Sequence, residues 1–460
     1  MNARDKKLAV IVLAAGLGSR MKSAKPKVLH AVGGRPLIGH IAAELAALQP
    51  TKVVLVVGPG DTAALAAARA AAPALEIVSV EQRERLGTGH AALQAKSALQ
   101  GFDGDILVTL GDAPFVSAAT FARLRAELDR SSNPAVAVLG VRLADAGAFG
   151  RLVCDADGGL ARIVEAKDAD VATRRIDFAN TGVMAFAGQG FFDLLGRIAP
   201  DNAQREFYLT DAIGLARAAG RAARAIEGSA DEWLAANDRV ELADLEAAFQ
   251  ARKRRAAMLS GVTLVDPASV WFSYDTQIGA DTIVYPSVFF GPGVKIGANV
   301  EIKGFCHIEG AEIADGAAVG PFARLRPGAA LAAGAHIGNF VEIKNATVAA
   351  GAKINHLSYV GDARVGAGAN IGAGTITCNY DGFEKFTTEI GAGAFVGSNS
   401  ALVAPVRIGA GAVVGAGSVV TQDVEDDALV VARGTAHTRS GWAKKFRDRR
   451  GAEKAAKKKD

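Results

Sequence analysis

The 460-residue sequence predicts an α/β chain in two parts, a doubly wound domain followed by a parallel β-helix. Two periodicities carry that prediction. Short apolar runs alternate with helix-spaced segments up to about residue 230, and a six-residue apolar period takes over after Gly261. Composition supports both. Half of the residues are hydrophobic, which excludes a disordered chain, and the 53 glycines suit a fold with many tight corners.

In residues 1–230 the strand candidates are Leu8–Leu13, Val53–Val57, Ile77–Val80, Ile106–Leu110 and Ala135–Val141, apolar runs bounded by Gly, Pro and Asp. Helices are expected over Leu37–Leu48, Thr62–Ala71, Thr88–Leu99 and Ala118–Leu128. The alternation builds βαβ units and a mainly parallel sheet, whose ligands sit at the carboxyl ends of the strands, so a site is sought in the loops after Leu13 and Leu110. Residues 231–260 read as a linker helix from Asp231 to about Met258, with Leu234, Leu242, Leu245 and Phe249 on its apolar stripe and Arg252–Arg255 where cations suit the helix dipole.

Within residues 261–440 the apolar position recurs at Ile278, Val284, Phe290, Ile296, Ile302 and Ile308, runs in the same way from Ile313 to Ile371, and resumes from Ile390 to Val420. Only the steps 308 to 313, 343 to 348 and 360 to 365 are five residues long. One inward side chain per six residues, with three hexapeptides to a coil, describes a triangular parallel β-helix. The break from Thr377 through Thr388 is a loop thrown out of the coil, and such loops commonly mark the binding face.

The formal net charge is +4, yet residues 441–460 alone hold nine basic and three acidic side chains. The rest of the chain is slightly acidic, so no nucleic-acid-binding body is expected, and Lys454 with Lys457–Lys459 reads as a solvated, disordered tail. Cys154, Cys306 and Cys378 lie far apart without a CxxC pair, which suggests neither a disulfide framework nor a thiolate zinc site and fits a reducing cytoplasm. Leu8–Ala15, after Lys6 and Lys7, reads better as a buried strand entering a glycine turn than as a signal peptide. No stretch approaches the roughly 18 apolar residues of a membrane span.

The first strand leads into Leu13-Ala14-Ala15-Gly16-Leu17-Gly18-Ser19-Arg20-Met21, and Lys25-Pro26-Lys27 follows. Met21 stands where a dinucleotide fingerprint needs a third glycine, and no GK[ST] closes a Walker A loop. What is left is either a turn that serves topology alone or a glycine loop whose amides cradle phosphate oxygens, with Arg20 and Lys27 as fixed cations. Asp112, in Gly111-Asp112 at the end of Ile106–Leu110, is by itself a turn former as readily as a magnesium ligand. Together these stretches resemble the sugar-nucleotidyltransferase signature, in which a Leu-x-x-Gly-x-Gly-x-Arg-Met loop precedes Lys-Pro-Lys and a later aspartate binds metal.

From Leu8 to about Arg433 the chain resembles a bacterial family of bifunctional N-acetylglucosamine-1-phosphate uridylyltransferases and glucosamine-1-phosphate N-acetyltransferases. The resemblance implies a Rossmann-like nucleotidyltransferase domain, a linker helix and a left-handed β-helix of hexapeptide repeats. It also implies cytoplasmic synthesis of UDP-N-acetylglucosamine for cell-wall and lipopolysaccharide precursors. Acetyl-CoA would acetylate glucosamine-1-phosphate, and Mg²⁺-dependent uridylyl transfer from UTP to N-acetylglucosamine-1-phosphate would follow. By the same resemblance Leu13, Ala14, Ala15, Gly16, Lys27, Gln82, Gly87, Thr88, Leu110, Gly111 and Asp112 hold the nucleotide, and Gly150, Glu165 and Asn180 hold the sugar. Asn237, in itself an ordinary helix residue, becomes the second magnesium ligand. Leu110 and Phe149 stand where the family often has tyrosine, so two hydroxyl contacts are expected to be missing.

In the β-helix, Arg326, Lys344 and position 362 are about one coil apart, so a phosphate clamp of stacked cations is expected beside the loop. His356, in Asn355-His356-Leu357-Ser358-Tyr359, would on its own more often be structural. The resemblance makes it the base of acetyl transfer, which suits a side chain that ordinarily titrates near neutrality. Glu342 is expected either to orient the imidazole or to bind the amine. The resemblance further implies that Arg326, Lys344, Tyr359 and Asn370 hold the sugar phosphate and that Ala373, Asn379, Tyr380, Ser398, Ala416 and Arg433 contact acetyl-CoA, although Arg433 also reads as an exposed residue after the last coil. The same resemblance implies a homotrimer with the coenzyme between subunits, and neither nucleic acid nor membrane insertion is expected. Two other readings compete: a nucleotidyltransferase whose β-helix only oligomerises or binds a regulatory sugar nucleotide, and a binding module without turnover. Neither requires Asp112, Lys27, His356 and Lys344 together.

Overall fold

The computed structural model describes residues 6–456, and the chain divides into two compact units. The first runs through Arg255 and includes Phe272–Tyr274; the second takes Ala256–Trp271 and the residues from Asp275 onward.

In the first unit β1 (Lys7–Leu13), β2 (Lys52–Val57), β3 (Ile77–Glu81), β4 (Gly104–Leu110), β5 (Val136–Arg142), β6 (Phe178–Phe186) and β7 (Ala223–Glu227) form a sheet in the order β7-β5-β6-β4-β1-β2-β3. The pairs are parallel except at β6, which runs antiparallel to β4 and β5. This strand follows a hairpin (Arg151–Cys154 and Leu160–Val164) instead of a long crossover helix, so it enters the sheet from the opposite end. Helices α1 (Leu37–Leu48), α2 (Thr62–Ala71), α3 (Thr88–Leu93) and α4 (Ala118–Ala126) cover the two faces. Leu8, Val10 and Val12 of β1 pack on the side of α1, α2 and α4, and Ala9 and Ile11 on the side of α3, as strand alternation requires. The last turns of α3 and α4 tighten into 3₁₀ turns at Gln94–Lys96 and Glu127–Asp129, so both α-helices stop short of their expected ends.

The linker helix α5 (Arg239–Leu259) starts at Arg239 and not at Asp231, which lies in a 3₁₀ turn (Ala230–Glu232). It is also less separate than expected. Leu245 and Phe249 are buried with Met21, Val32, Leu37 and Phe115, which makes this helix part of the first unit through Arg255. Gly33 fits beneath it: its φ is +54°, and a Cβ there would lie 2.2 Å from the Phe249 ring. Gly33→Ala is therefore expected to destabilise the first unit by about 1–3 kcal/mol, seen as a lower unfolding midpoint. An unchanged midpoint would show that the helix yields freely at this point.

The second unit is a left-handed parallel β-helix with three flat faces. One face runs from Thr263–Leu264 to Leu429–Val430, a second from Gln277–Ile278 to Val406–Ile408, and a third from Phe289–Phe290 to Val419–Val420. Every apolar repeat position from Val284 to Val420 is buried, whereas Ile278 in the first coil is only partly covered. Thr377 also sits in the core, in register with Leu402, so the loop leaves the coil only after Cys378. All three five-residue steps turn the same corner, from the third face to the second, and the loop springs from that corner too.

The expected disordered tail is helical over Trp442–Ala456, where Arg449 and Arg450 pair with Glu453; Lys457–Lys459 lie outside the described residues. Among the described residues no helix is long and apolar enough to cross a membrane, and all three cysteines are unpaired.

Candidate active sites

The loop after β1 is tied to both neighbouring strands, since the Ala14 amide donates to the Val56 carbonyl and the Gly111 amide to the Leu13 carbonyl, each at 2.8 Å. Gly18 has φ +59°, and a Cβ there would meet the Lys27 side chain at 2.8 Å, so the glycine is what lets Lys27 approach. Lys27 Nζ reaches the Asp112 carboxylate and lies 3.2 Å from Asn237 Oδ1. Glu241, which the sequence did not single out, accepts from the Asn237 backbone amide at 2.6 Å and from its Nδ2 at 2.9 Å, turning Oδ1 toward the lysine. Two hard oxygen donors thus converge on one positive charge.

A cleft of about 280 Å³ opens beside them, lined by Leu13, Ala14, Ala15, Gly16, Lys27, Gln82, Gly87, Thr88, Leu110 and Asp112 among the expected residues. Arg85 and Glu206 line it as well and were not anticipated; the Arg85 guanidinium is tethered by Nε to the Ala15 carbonyl at 2.9 Å. Gly111 sits just beneath, packed so closely that a Cβ would meet Val28 at 2.9 Å. Gln82 is buried and donates to the Gly87 carbonyl at 3.1 Å, which leaves its own carbonyl oxygen available to a ligand. Arg20 stands exposed on the loop, outside the cleft lining.

Gly150, Glu165 and Asn180 form a second cluster. The Asn180 amide donates to the Gly150 carbonyl at 2.8 Å, and a Cβ on Gly150 would lie 3.2 Å from Glu165 Oε2. Burial pushes the Glu165 carboxyl up, and Asp168 and Asp211 add to the shift against the hydrogen bond from Thr210. The folded chain therefore holds this proton more tightly than the unfolded chain, and stability falls as pH rises from the ordinary glutamate range through the raised value. Glu165→Gln is expected to melt above the wild type at pH 7 and alike below about pH 4, in calorimetry at the two pH values. Equal melting at both would remove the buried-charge argument. Phe149, one of the two tyrosine replacements, lies edge-on to Trp233 with ring centroids 6.3 Å apart.

On the β-helix, Arg326 and Lys344 occupy corresponding places on adjacent strands of the third face, as the Arg324–Glu342 and Leu325–Ile343 pairing dictates. The next coil contributes Gly361 and not position 362, because the step from 343 to 348 is one residue short. Glu342 neither orients the imidazole nor stands free: its carboxylate accepts from Arg326 Nη1 at 2.8 Å. Lys385, from the expelled loop and absent from the expectations, crowds Lys344 and holds its ammonium below the usual lysine range, with Arg326 adding to the effect. Such crowding of cations is relieved by an anion.

Asn379 donates to Asp362 and lies 3.5 Å from the Tyr359 hydroxyl, and Tyr380 bridges to Lys385, so the loop is a hairpin anchored on the coil. Asn370 sits on the first face, in register with Lys353 and Phe395. Ala373, Ser398, Ala416 and Arg433 climb one edge coil by coil. The Asn399 amide donates to the Ala373 carbonyl, Gly417 to Ser398, and Arg433 Nη1 to Ala416, at 2.7, 2.8 and 2.7 Å. His356 lies at the foot of this edge: its carbonyl accepts from the Gly374 amide, and its Nδ1 lies 2.6 Å from Asn339 Oδ1.

Comparison with known proteins covers both units. A MobA-like NTP transferase domain matches residues 10–207, and bacterial transferase hexapeptide repeats match residues 387–422. The chain is 56% identical to Bifunctional protein GlmU of Paramagnetospirillum magneticum over 98% of this chain and 99% of the relative. Its identity to the protein of the same name from Rhodospirillum rubrum is 55% (96% and 97% covered), and from Dinoroseobacter shibae 52% (98% and 99%). With both domains and nearly the whole length in common, the chain belongs to the family of Bifunctional protein GlmU, which joins uridylyl transfer to acetyl transfer in the synthesis of UDP-N-acetylglucosamine.

Proposed function

We propose that the cleft around Lys27 and Asp112 performs uridylyl transfer and that the edge around His356 and Lys344 performs acetyl transfer. The observation that carries this reading is the presence of two separate charged centres, Lys27 with Asp112 and Asn237 beside the cleft and the crowded cations around Lys344 on the β-helix.

In the first site a phosphate oxygen of N-acetylglucosamine-1-phosphate attacks the α-phosphorus of UTP, the bond to the bridging oxygen breaks, and pyrophosphate leaves. A phosphate nucleophile is already ionised at neutral pH, so this chain's task is alignment and charge neutralisation by Lys27, Arg20 and the loop amides. Asp112 and Asn237 would hold Mg²⁺ through one carboxylate and one amide oxygen, a donor set that suits this hard cation. When bound, the ion neutralises phosphate charge. Gln82 and Gly87 read the base, and Glu165 and Asn180 hold the sugar.

In the second site Arg326, Lys344, Tyr359 and Asn370 hold the phosphate of glucosamine-1-phosphate. Its amine attacks the thioester carbon of acetyl-CoA; His356 takes the amine proton, the C–S bond breaks, and coenzyme A leaves. The edge from Ala373 to Arg433, with Asn379 and Tyr380, receives the coenzyme. The hexapeptide repeats favour a homotrimer, and UTP and acetyl-CoA as substrates suit a cytoplasmic enzyme.

The test is a pair of assays on the purified chain, coenzyme A release with glucosamine-1-phosphate and pyrophosphate release with UTP, Mg²⁺ and N-acetylglucosamine-1-phosphate. Both are expected. Pyrophosphate without coenzyme A would reduce the β-helix to a binding or assembly module.

A further inference from the structure

We propose that Asn339 is the positioning residue of acetyl transfer, fixing the tautomer and ring orientation of His356. The inference rests on the reading of His356 as the base. Asn339 ends the strand His336–Asn339 and His356 ends Lys353–His356, in register one coil above it. The side chains meet at 2.6 Å, Asn339 Oδ1 to His356 Nδ1. An amide oxygen only accepts, so the hydrogen must sit on Nδ1 and the lone pair on Nε2, the nitrogen left to take the amine proton.

The backbone is arranged around this contact. The Asn339 carbonyl also accepts from the Leu357 amide at 3.1 Å, so one residue grips the His356 segment on both sides. Ser358 Oγ donates to the His356 carbonyl at 2.9 Å. Gly338, immediately before Asn339, lies so close to the next coil that a Cβ would be 1.9 Å from the Asn355 carbonyl oxygen. A side chain on Gly338 would push the two strands apart just where Asn339 and His356 pair.

The choice of an amide matters chemically. A carboxylate at this position would orient the ring equally well but would favour the imidazolium, which cannot accept a proton. The nearby carboxylate that could have served, Glu342, is committed to Arg326. The other titratable groups at this corner are His336 on Asn339's own strand, Lys353 on the strand of His356, and Lys303 and Glu301 around His336, so cations outnumber the single carboxylate.

The experiment measures the pH dependence of coenzyme A release for the full chain and its Asn339→Ala and Asn339→Asp variants, with pyrophosphate release as the internal control of folding. Asn339→Ala is expected to lower kcat by about 10–100-fold with little change in the KM for glucosamine-1-phosphate, inside the roughly 10²–10⁴-fold that a positioned base supplies. Asn339→Asp, nearly the same shape, is expected to recover rate at alkaline pH while its acidic limb moves up by about one pH unit. Wild-type rates in Asn339→Ala, or an acidic limb that stays put in Asn339→Asp, would overturn the proposal. If His356→Ala itself keeps full activity, the base assignment fails instead.

Discussion

Replacing His356 by alanine is expected to cut coenzyme A release by roughly 10²–10⁴-fold and to leave pyrophosphate release at the wild-type rate. The magnitude follows from the chemistry: an amine attacking a thioester must lose a proton, and without a positioned acceptor that proton goes to solvent from an unstable intermediate. The selectivity follows from the fold, since His356 belongs to the second compact unit and the nucleotide cleft to the first. His356 is exposed, so its truncation opens no cavity in the β-helix core. A fall of less than tenfold would mean that another group, or water, accepts the proton.

Lys27→Ala is expected to do the reverse, with pyrophosphate release down by at least about 10²–10³-fold and coenzyme A release intact. Two losses combine here. The ammonium no longer neutralises phosphate charge, and Asp112 and Asn237 lose the partner on which they converge. Lys27→Arg keeps the charge but spreads it over a planar fork too large for the space that Gly18 provides, so it is expected to rescue only part of the rate. Full rescue by arginine would show that charge alone matters; an unaffected alanine variant would remove Lys27 from the chemistry.

Much of this was legible in the sequence because it is periodic or local. The β-helix positions from Val284 to Val420 could be read from spacing alone, since each must point inward. The loop after Leu13 and the aspartate after Leu110 were legible because strand ends gather ligands in doubly wound sheets. The antiparallel β6 was not, because strand direction depends on how the chain returns and not on the composition of the strand. Arg85 and Lys385 escaped because each acts through a contact between distant segments that no local pattern encodes, and Glu241, though only four residues from Asn237, escaped because nothing local marked Asn237 itself. Asn339 was within reach: it stands one short coil before His356, and the same period that placed Lys344 over Arg326 places it. The role of Glu342 stayed open for a related reason, since the sequence does not encode its pairing with Arg326.

The three shortened steps and the expelled loop all fall at one corner of the coil, and after the loop Ile390 still pairs with Val365 as though nothing had been inserted. Chain length can thus vary at this edge without disturbing the inward register of any neighbouring turn. For a lineage of such proteins, that edge is a margin on which new text can be written. Residues gained or lost there leave every turn above and below in its place, so the rim of the coil can change without a renegotiation of the core.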